Sequence, residues 1–220
     1  MRLPAYRTKT DLVYEALRHA ILAGRYAPGS RIVLDHVAAE LGTSKVPVRE
    51  AVVRLVGEGW LDTKPHVGPT VPELSPEEVR ETSILRSVVE GGAVGYAVNE
   101  ISDAAVRQLQ GLVAEMDDQA RRLDPVYPET NLRFHLLIFD ACPHRVLKTM
   151  AADLARKSAR LRTVSYMPGY LATSQAQHRQ VVEALERRDG QLAETLVREH
   201  IAHAGMLLWQ YALEHSKDRS

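Results

Sequence analysis

The amino-acid sequence predicts a mainly α-helical protein, with a helix-turn-helix and a β-hairpin near the N-terminus and an antiparallel bundle of helices after them. Three observations lead to this fold class. Two short apolar stripes at helical spacing flank a turn at residues 42–44, and two segments that can extend as strands follow the second stripe. From residue 75 onwards the chain is almost wholly helical in pattern.

Apolar residues at helical spacing predict three helices before the hairpin. The first holds Val13, Ala16, Leu17, Ala20 and Ile21, the second Leu34, Val37, Ala38 and Leu41, and the third Val48, Ala51, Val52, Leu55 and Val56. Residues 60–63 and 69–71 can then pair as strands, with residues 64–68 at the tip. Three helices followed by such a hairpin predict a winged helix, in a domain that spans residues 1–74.

The third helix has the features of a DNA recognition helix. Burial of its apolar stripe leaves Lys45, Arg49 and Arg54 on the opposite face, where a recognition helix contacts the major groove. Ser44 is expected to cap this helix with its hydroxyl, and the capped N-terminus can also receive a phosphate. The candidate DNA-binding residues are Arg31, Ser44, Lys45, Val46, Arg49, Arg54, Lys64, His66 and Gly68. Basic residues alone could form an ordinary solvated face, so the turn and the hairpin carry this interpretation.

A second domain is predicted over residues 75–215. Ser75 and Glu78 have the spacing of a capping box, and Pro76 suits the first helical position. Six helices are predicted, over residues 76–99, 103–123, 129–141, 144–166, 171–187 and 190–214. Because their connections are short, we expect them to pack as an antiparallel bundle with a core of its own.

The composition indicates a folded protein that is neither disulfide-rich nor membrane-spanning. The 220 residues are 45% hydrophobic and 25% charged, and the formal net charge is zero. DNA contact must therefore come from the local placement of basic residues. The single cysteine, Cys142, excludes an internal disulfide, and neither a signal peptide nor a membrane span is predicted. We expect a cytoplasmic protein.

Histidines are the distinctive chemistry of the predicted bundle. His135, His178 and His200 lie on the inward-facing stripes of three different helices. A buried imidazole needs polar partners, and a shared divalent metal ion would satisfy all three at once. Each histidine could equally be a hydrogen-bonded core residue. His203, one turn after His200, could be a spare ligand or a surface residue.

Four blocks of sequence follow one another near the N-terminus: AILAG at residues 20–24, PGSRI at 28–32, LGTSKVPVREA at 41–51 and EGWL at 58–61. In this order they resemble the DNA-binding domain of the GntR family of bacterial transcription regulators. Four more blocks lie in the predicted bundle: LRSVVE at 85–90, NLRFH at 131–135, HRQVVEAL at 178–185 and REH at 198–200. They resemble the effector domain, called FCD, of the FadR-type branch of that family, so the resemblance covers nearly the whole chain.

The resemblance implies a metal site in the bundle. Many members carry an aspartate and three histidines in this pattern, and these residues bind a divalent metal that helps to hold a carboxylate metabolite. Carried over to this sequence, the ligands are Asn131, His135, His178 and His200, with an asparagine in place of the usual aspartate. Neutral ligation by Asn131 should weaken Mg²⁺ or Ca²⁺ more than Zn²⁺ or Ni²⁺, so zinc or nickel is the expected cofactor.

An organic-acid effector would also need cationic side chains. Arg86 matches an arginine that the family directs into the cavity, and its guanidinium can hold a carboxylate through two parallel hydrogen bonds. Arg162, with Arg160, is a further candidate for effector binding. The helix that carries these two residues could instead present a solvated basic face.

The sequence therefore predicts a ligand-responsive transcription regulator. We expect a repressor that binds a palindromic operator in double-stranded DNA as a homodimer and is released by a small carboxylate metabolite. One alternative is a metal-dependent enzyme that uses the three histidines, although no acidic residue has the spacing of a general base. Another is a structural DNA-binding protein whose bundle binds no ligand.

Overall fold

The computed structural model describes residues 7–22, 25–73, 75–124, 126–158 and 169–217. The chain forms two compact units, residues 1–74 and 75–220. Helices and strands of the first unit are α1 (Lys9–Leu22), α2 (Leu34–Glu40), α3 (Lys45–Gly57), β1 (Asp62–Lys64) and β2 (Gly68–Thr70). This order of helices and strands, followed by a helical domain, confirms the predicted fold class.

The first unit is built on the buried stripe of α3. Val48, Ala51 and Leu55 are fully buried and pack with Tyr14 of α1 and with Trp60, which precedes the hairpin. Burying apolar side chains of this size contributes about 1.5–3 kcal/mol each, so this stripe fixes the outer face of α3 towards solvent.

The hairpin is a short antiparallel pair in which Asp62 lies opposite Thr70 and Lys64 lies opposite Gly68. Arg31 forms an isolated bridge with Thr70, which places the segment before α2 beside β2. At the tip, His66 has a φ of 61° and Gly68 a φ of 96°. These left-handed conformations reverse the chain and define the wing.

The second unit is wholly helical over its described residues. Its helices are α4 (Pro76–Ala97), α5 (Asp103–Arg122), α6 (Tyr127–Asp140), α7 (Arg145–Ser158), α8 (Tyr170–Glu186) and α9 (Gly190–Lys217). The Ser75 hydroxyl accepts a hydrogen bond from the Glu78 N–H at 3.4 Å, as the capping-box spacing predicts. The predicted extension of the fourth bundle helix over residues 159–166 lies outside the described residues.

Small residues let α4 and α9 pack closely. A Cβ atom added at Gly91 would lie 2.5 Å from Cγ of Arg198, and one added at Gly205 would lie 2.4 Å from Cβ of Ser83. The bundle core then packs around Phe134, Ile138 and other buried apolar side chains of the helices. Helices α6, α8 and α9 all contribute side chains to this core, and each of them carries one of the three predicted histidines.

Candidate functional site

The bundle brings His135 of α6, His178 of α8 and His200 of α9 together. All three side chains are buried, and each offers a ring nitrogen that lies within 4.8 Å of the nitrogens offered by the other two. The ring centroids are 5.6 Å apart for His135 and His178, 5.3 Å for His135 and His200, and 4.6 Å for His178 and His200. Three imidazoles at this spacing can serve one metal ion.

The predicted ligand atoms are buried without hydrogen-bond partners. These atoms are Nδ1 of His135, both ring nitrogens of His178 and the side-chain oxygen Oδ1 of Asn131. Leaving a buried polar atom unpaired costs about 1–3 kcal/mol, so four such atoms on three residues are a costly arrangement. A divalent cation could take one lone pair from each of Asn131, His135 and His178, so these side chains fit a metal.

Burial also keeps the three histidines neutral. Burial lowers the pKa of His135 and of His178 well below its usual value, and the neighbouring His200 lowers both further. Burial, helped by the charge of Arg86, lowers the pKa of His200 to about 3. Neutral imidazoles are the form that binds a metal, so the apolar surroundings prepare these side chains for ligation.

His200 is oriented by a residue that the sequence did not reveal. Its Nδ1 lies 3.0 Å from Oε1 of Gln177 on α8. Because an amide oxygen only accepts hydrogen bonds, this contact places the imidazole proton on Nδ1 and leaves the lone pair of Nε2 free. Metal-binding histidines in proteins are held by the same kind of outer contact. The sequence signal for this contact is that Gln177 directly precedes His178, one of the predicted ligands.

Arg86 is partly buried on α4 and forms an ion pair with Glu90. Its Nε lies 2.6 Å from Oε1 of Glu90, and a second nitrogen of the guanidinium lies 3.3 Å from Oε2. Glu90 is fully buried, and burial raises its pKa while Arg86 opposes the rise. The charge of Arg86 also lowers the pKa of His135 and His200. The i, i+4 spacing of Arg86 and Glu90 could have predicted this pair.

Two other predicted residues surround the histidines less closely. Asn131 is half-buried one turn before His135, and His203 is half-buried with an unpartnered Nδ1. The ring of His203 lies 6.3 Å from that of Tyr170, so it faces the interior of the bundle rather than open solvent. Arg160 and Arg162 lie outside the described residues.

The outer face of α3 presents one arginine without an ion-pair partner among the described residues. Arg49 is exposed between Val46 and Val53, whose side chains are both about two-thirds exposed. Lys45, by contrast, lies 2.6 Å from Asp35 of α2. An exposed arginine flanked by small apolar side chains suits contact with base edges.

Ser44 occupies the N-cap of α3, but the predicted hydroxyl cap is wrong, because the Ser44 side chain forms no capping hydrogen bond. A capping hydroxyl bonds the N–H of the second or third helical residue, and the third residue of α3 is Pro47, which has no N–H. The start of the helix is therefore left with unpaired N–H groups, which can bind a phosphate.

Arg54 is held within the first unit. Its guanidinium lies 3.8 Å above the ring of Tyr14, its Nε lies 3.0 Å from Glu58, and another nitrogen lies 3.5 Å from Asp11. The Tyr14 hydroxyl also donates a hydrogen bond to Glu58. These contacts join α1 to α3, and they favour a role for Arg54 in folding.

Replacing Arg54 should therefore lower the stability of the fold more than replacing Arg49 does. We expect Arg54→Ala to lower the free energy of unfolding by about 1–2 kcal/mol, because it loses the cation–π contact and two ion pairs. Arg49→Ala, at an exposed position, should stay within about 0.5 kcal/mol of the wild type. Urea denaturation of both variants measures the difference, and equal stabilities would contradict a structural role for Arg54.

The wing and the segment before α2 carry the remaining candidates. Lys64 of β1 lies 3.2 Å from Glu73, His66 stands at the tip, and Gly68 begins β2. Arg31 is exposed beside the wing. The structure thus places these three side chains and Gly68 on or next to one hairpin.

A winged helix followed by a helical domain that carries a buried histidine cluster and an arginine defines a ligand-responsive, DNA-binding transcription regulator. Comparison with known proteins agrees. Residues 9–71 match the family described as "Bacterial regulatory proteins, gntR family", and residues 81–203 match the FCD domain. The chain belongs to the GntR family of bacterial regulators, in the branch with a FadR-like FCD domain.

Similar proteins carry names of regulators. A "Probable D-xylose utilization operon transcriptional repressor" of Paenarthrobacter nicotinovorans is 30% identical over 83% of this chain and 80% of its own length. The "HTH-type transcriptional repressor RspR" of Escherichia coli K12 is 25% identical, covering 93% of this chain and 90% of the relative. The solved structure titled "E. coli McbR/YncC" has a TM-score of 0.66 at 24% identity, covers 93% and 98% of the two chains, and supports the fold.

These similarities point to a transcription regulator and not to an enzyme, so they argue against the metalloenzyme alternative. Within the described residues, none of the helices has the length and apolar character needed to cross a membrane.

Proposed function

We propose that this regulator is a homodimeric repressor that binds a palindromic operator and is released by a small carboxylate metabolite held at a divalent metal in the bundle. The observation that carries the proposal is the set of buried, unpartnered ligand atoms on His135, His178 and Asn131. Two relatives named as repressors support the direction of regulation.

The donor set favours zinc or nickel. Three neutral imidazoles and one amide oxygen would supply nitrogen-rich ligation without a negative charge. Mg²⁺ and Ca²⁺ prefer carboxylate oxygens, whereas Zn²⁺ and Ni²⁺ bind imidazole well. When bound, such an ion would supply positive charge and coordination positions for oxygen atoms of an effector.

The charge balance of the site favours an anionic effector. A divalent ion and Arg86 would bring three positive charges, and the buried carboxyl of Glu90 would offset at most one of them. Because Asn131 is neutral, the excess of positive charge at the site is larger than it would be with an aspartate at this position. Because Glu90 takes up two of the five N–H donors of the Arg86 guanidinium, the others remain able to bind a carboxylate.

The proposed DNA contacts divide into two kinds. Arg49 is suited to a base edge, whereas Lys45, Lys64 and Arg31 are suited to the phosphate backbone. One recognition helix reads only a few base pairs, so specificity requires two helices from a two-fold dimer on a palindromic site.

An exposed apolar stripe on α4 supports the dimer. Ile84, Leu85, Val88 and Tyr96 are each about half exposed and recur at helical spacing. Between them a Cβ added at Gly92 would meet no atom within 4 Å, so the stripe is open at its middle. An apolar helix face of this length is typical of an interface rather than of free surface.

The charges around the stripe are complementary to those of a second copy turned by 180°. The N-terminal end of α4 carries exposed Glu77 and Glu81. At the other end, Tyr96 contacts the ring of His144, and Arg145 is exposed beside it. Antiparallel pairing of two α4 helices about Val88 would bring Glu81 of one copy towards Arg145 of the other.

The variant Val88→Asp tests this interface. A charge placed in the middle of the stripe should turn the dimer into a monomer at micromolar concentration, as measured by analytical ultracentrifugation. Leu123→Asp is the matched control, because Leu123 is at least as exposed as Val88 and follows α5, which packs mainly on α6 and α8. A Val88→Asp protein that remains dimeric would show that the two copies do not meet on α4.

A further inference from the structure

A cavity lies on the surface of the helical unit, in the groove between the first half of α4 and the second half of α9. Its volume is about 310 Å³. Its lining includes Arg80, Ser83 and Ile84 of α4 and Ala202, Met206 and Trp209 of α9. Pockets that bind small molecules have volumes of about 300–1,000 Å³, so this one is large enough for a small ligand.

The cavity is separate from the histidine cluster. The rings of His135 and His178 lie 5.3 Å and 4.6 Å from that of His200, so His200 faces α6 and α8. An α-helix turns by about 100° per residue, which places Ala202, Met206 and Trp209 roughly 120–180° around α9 from His200. The cavity therefore lies on the far side of α9 from the histidines, and a ligand there would not touch the metal site.

The walls of the cavity are apolar and open to solvent. Ile84 and Met206 are each about half exposed, and Trp209 is half-buried. The base is the close approach of the two helices, where a Cβ atom added at Gly205 would lie 2.4 Å from Cβ of Ser83. Contiguous apolar surface left open in this way marks a binding groove more often than ordinary surface.

One charged side chain lines this apolar surface. Arg80 is exposed and forms no ion pair within the part of the chain that the structure describes. The two serines of the cavity use their hydroxyl protons within α4, because Ser83 donates to the carbonyl oxygen of Val79 at 2.7 Å and Ser87 to that of Ile84 at 3.2 Å. The guanidinium of Arg80, with five N–H donors, is therefore the group that can bind an anion.

We propose that this cavity is a second ligand site and that it binds a small aromatic monocarboxylate. The aromatic ring would lie against Trp209 and Met206, because an indole stacks on aromatic rings and a thioether contacts them favourably. The carboxylate would lie on Arg80, whose planar guanidinium can hold it through two parallel hydrogen bonds. This proposal does not depend on the metal or on the effector proposed above.

The charges around the cavity narrow the class of ligand. Exposed Glu77 and Glu81 lie within one turn of Arg80 on α4, so a second negative group on the ligand would be repelled. A cationic ligand would be repelled by Arg80 itself. An aliphatic acid would satisfy Arg80 but lose the stacking on Trp209.

Quenching of tryptophan fluorescence by 4-iodobenzoate tests the proposal, since the iodine atom quenches an indole that it contacts. The chain has two tryptophans, of which Trp60 is buried in the first unit. The full-length protein is titrated with a chelator present, so that no metal can hold the carboxylate. We expect saturable quenching that is absent from Trp209→Phe. The neutral 4-iodobenzamide should bind about tenfold more weakly, and cyclohexanecarboxylate should be a poorer competitor than benzoate.

Two substitutions at exposed positions test the two halves of the cavity. Arg80→Ala should weaken binding of 4-iodobenzoate about tenfold and leave that of the amide unchanged. Ala202→Leu, which fills part of the cavity, should weaken binding of both. Arg107→Ala and Ala104→Leu, at exposed positions of α5, are the matched controls and should bind like the wild type. Unchanged binding in Arg80→Ala and Ala202→Leu would overturn the proposal, as would the absence of saturable quenching in the wild type.

Two further variants distinguish this site from the other surfaces of the protein. His178→Ala should bind 4-iodobenzoate like the wild type, whether or not the wild type holds a metal, and loss of binding would place the acid at the histidines instead. Binding by the monomeric Val88→Asp variant but not by the wild type would show that a second copy covers the cavity. Either result would overturn the second ligand site.

Discussion

Replacing His178 by alanine is expected to remove the bound metal and the response to the effector while leaving operator affinity within about twofold of the wild type. His178 is fully buried, and neither of its ring nitrogens has a hydrogen-bond partner. Its loss takes away one of three imidazoles whose nitrogens lie within 4.8 Å of one another. DNA binding should survive, because the winged helix is a compact unit with its own core.

The expected loss is large because the metal couples the effector to DNA. An effector that lowers operator affinity through a coupling of about 1–3 kcal/mol changes the affinity about 5–150-fold in the wild type, and none of this change should remain in His178→Ala. Metal analysis, and operator titration with and without each of a panel of small carboxylates, measure both parts. His203→Ala is the matched control. Like His178→Ala it removes a histidine that faces the interior, but His203 lies on α9 outside the cluster, so the variant should keep the metal.

Two outcomes would contradict this expectation. A His178→Ala protein that still binds one equivalent of metal would remove His178 from the ligand set. A variant that loses operator binding as well, with a lowered unfolding temperature, would show that His178 is needed for folding. In that second case His178→Gln, which keeps a polar side chain of similar length, should restore folding without restoring the metal.

The second large effect is expected on α3. Arg49→Ala should weaken operator binding by about 1–3 kcal/mol and relax the preference at one base position, because an arginine bound to a guanine edge is lost. By the relation of about 1.4 kcal/mol to a factor of ten, this is about 5–150-fold. Arg49 is the exposed side chain of α3 best placed for such a contact, since Lys45 and Arg54 have acidic neighbours.

Phosphate contacts should behave differently from base contacts. Lys45→Ala and Lys64→Ala should weaken binding to all sequences alike and reduce the slope of log affinity against log salt by about one unit each. Arg107→Ala, an exposed arginine of α5, is the matched control for loss of one positive charge. Unchanged operator binding by Arg49→Ala would contradict the docking of α3 in the major groove.

The sequence predicted most of the fold because the fold depends on local signals. Apolar spacing located α1 to α3, and Ser75, Pro76 and Glu78 located the start of α4. The same signals failed at Ser44, where the residue type predicts a cap but Pro47 removes the N–H that the hydroxyl would bond. The capping prediction considered only the residue type at Ser44 and not the proline three residues later.

The sequence predicted which face of each helix carries the candidate site, but not how these faces meet. The apolar periodicity predicted that His135, His178 and His200 point inward, whereas the distances between them depend on how α6, α8 and α9 pack. Contacts between helices, such as that of Gln177 with His200, follow from the same packing. The network of Arg54 with Tyr14 and Asp11 joins residues about forty positions apart, and no local pattern predicts such pairs.

Metal content of untagged wild-type protein, measured together with operator release, tests the central claim most directly. We predict one equivalent of zinc or nickel per chain, operator release by a small carboxylate, and loss of that release when a chelator removes the metal. A wild-type protein that is purified without metal, gains none on incubation with zinc or nickel, and still releases its operator in response to an acid would contradict the account.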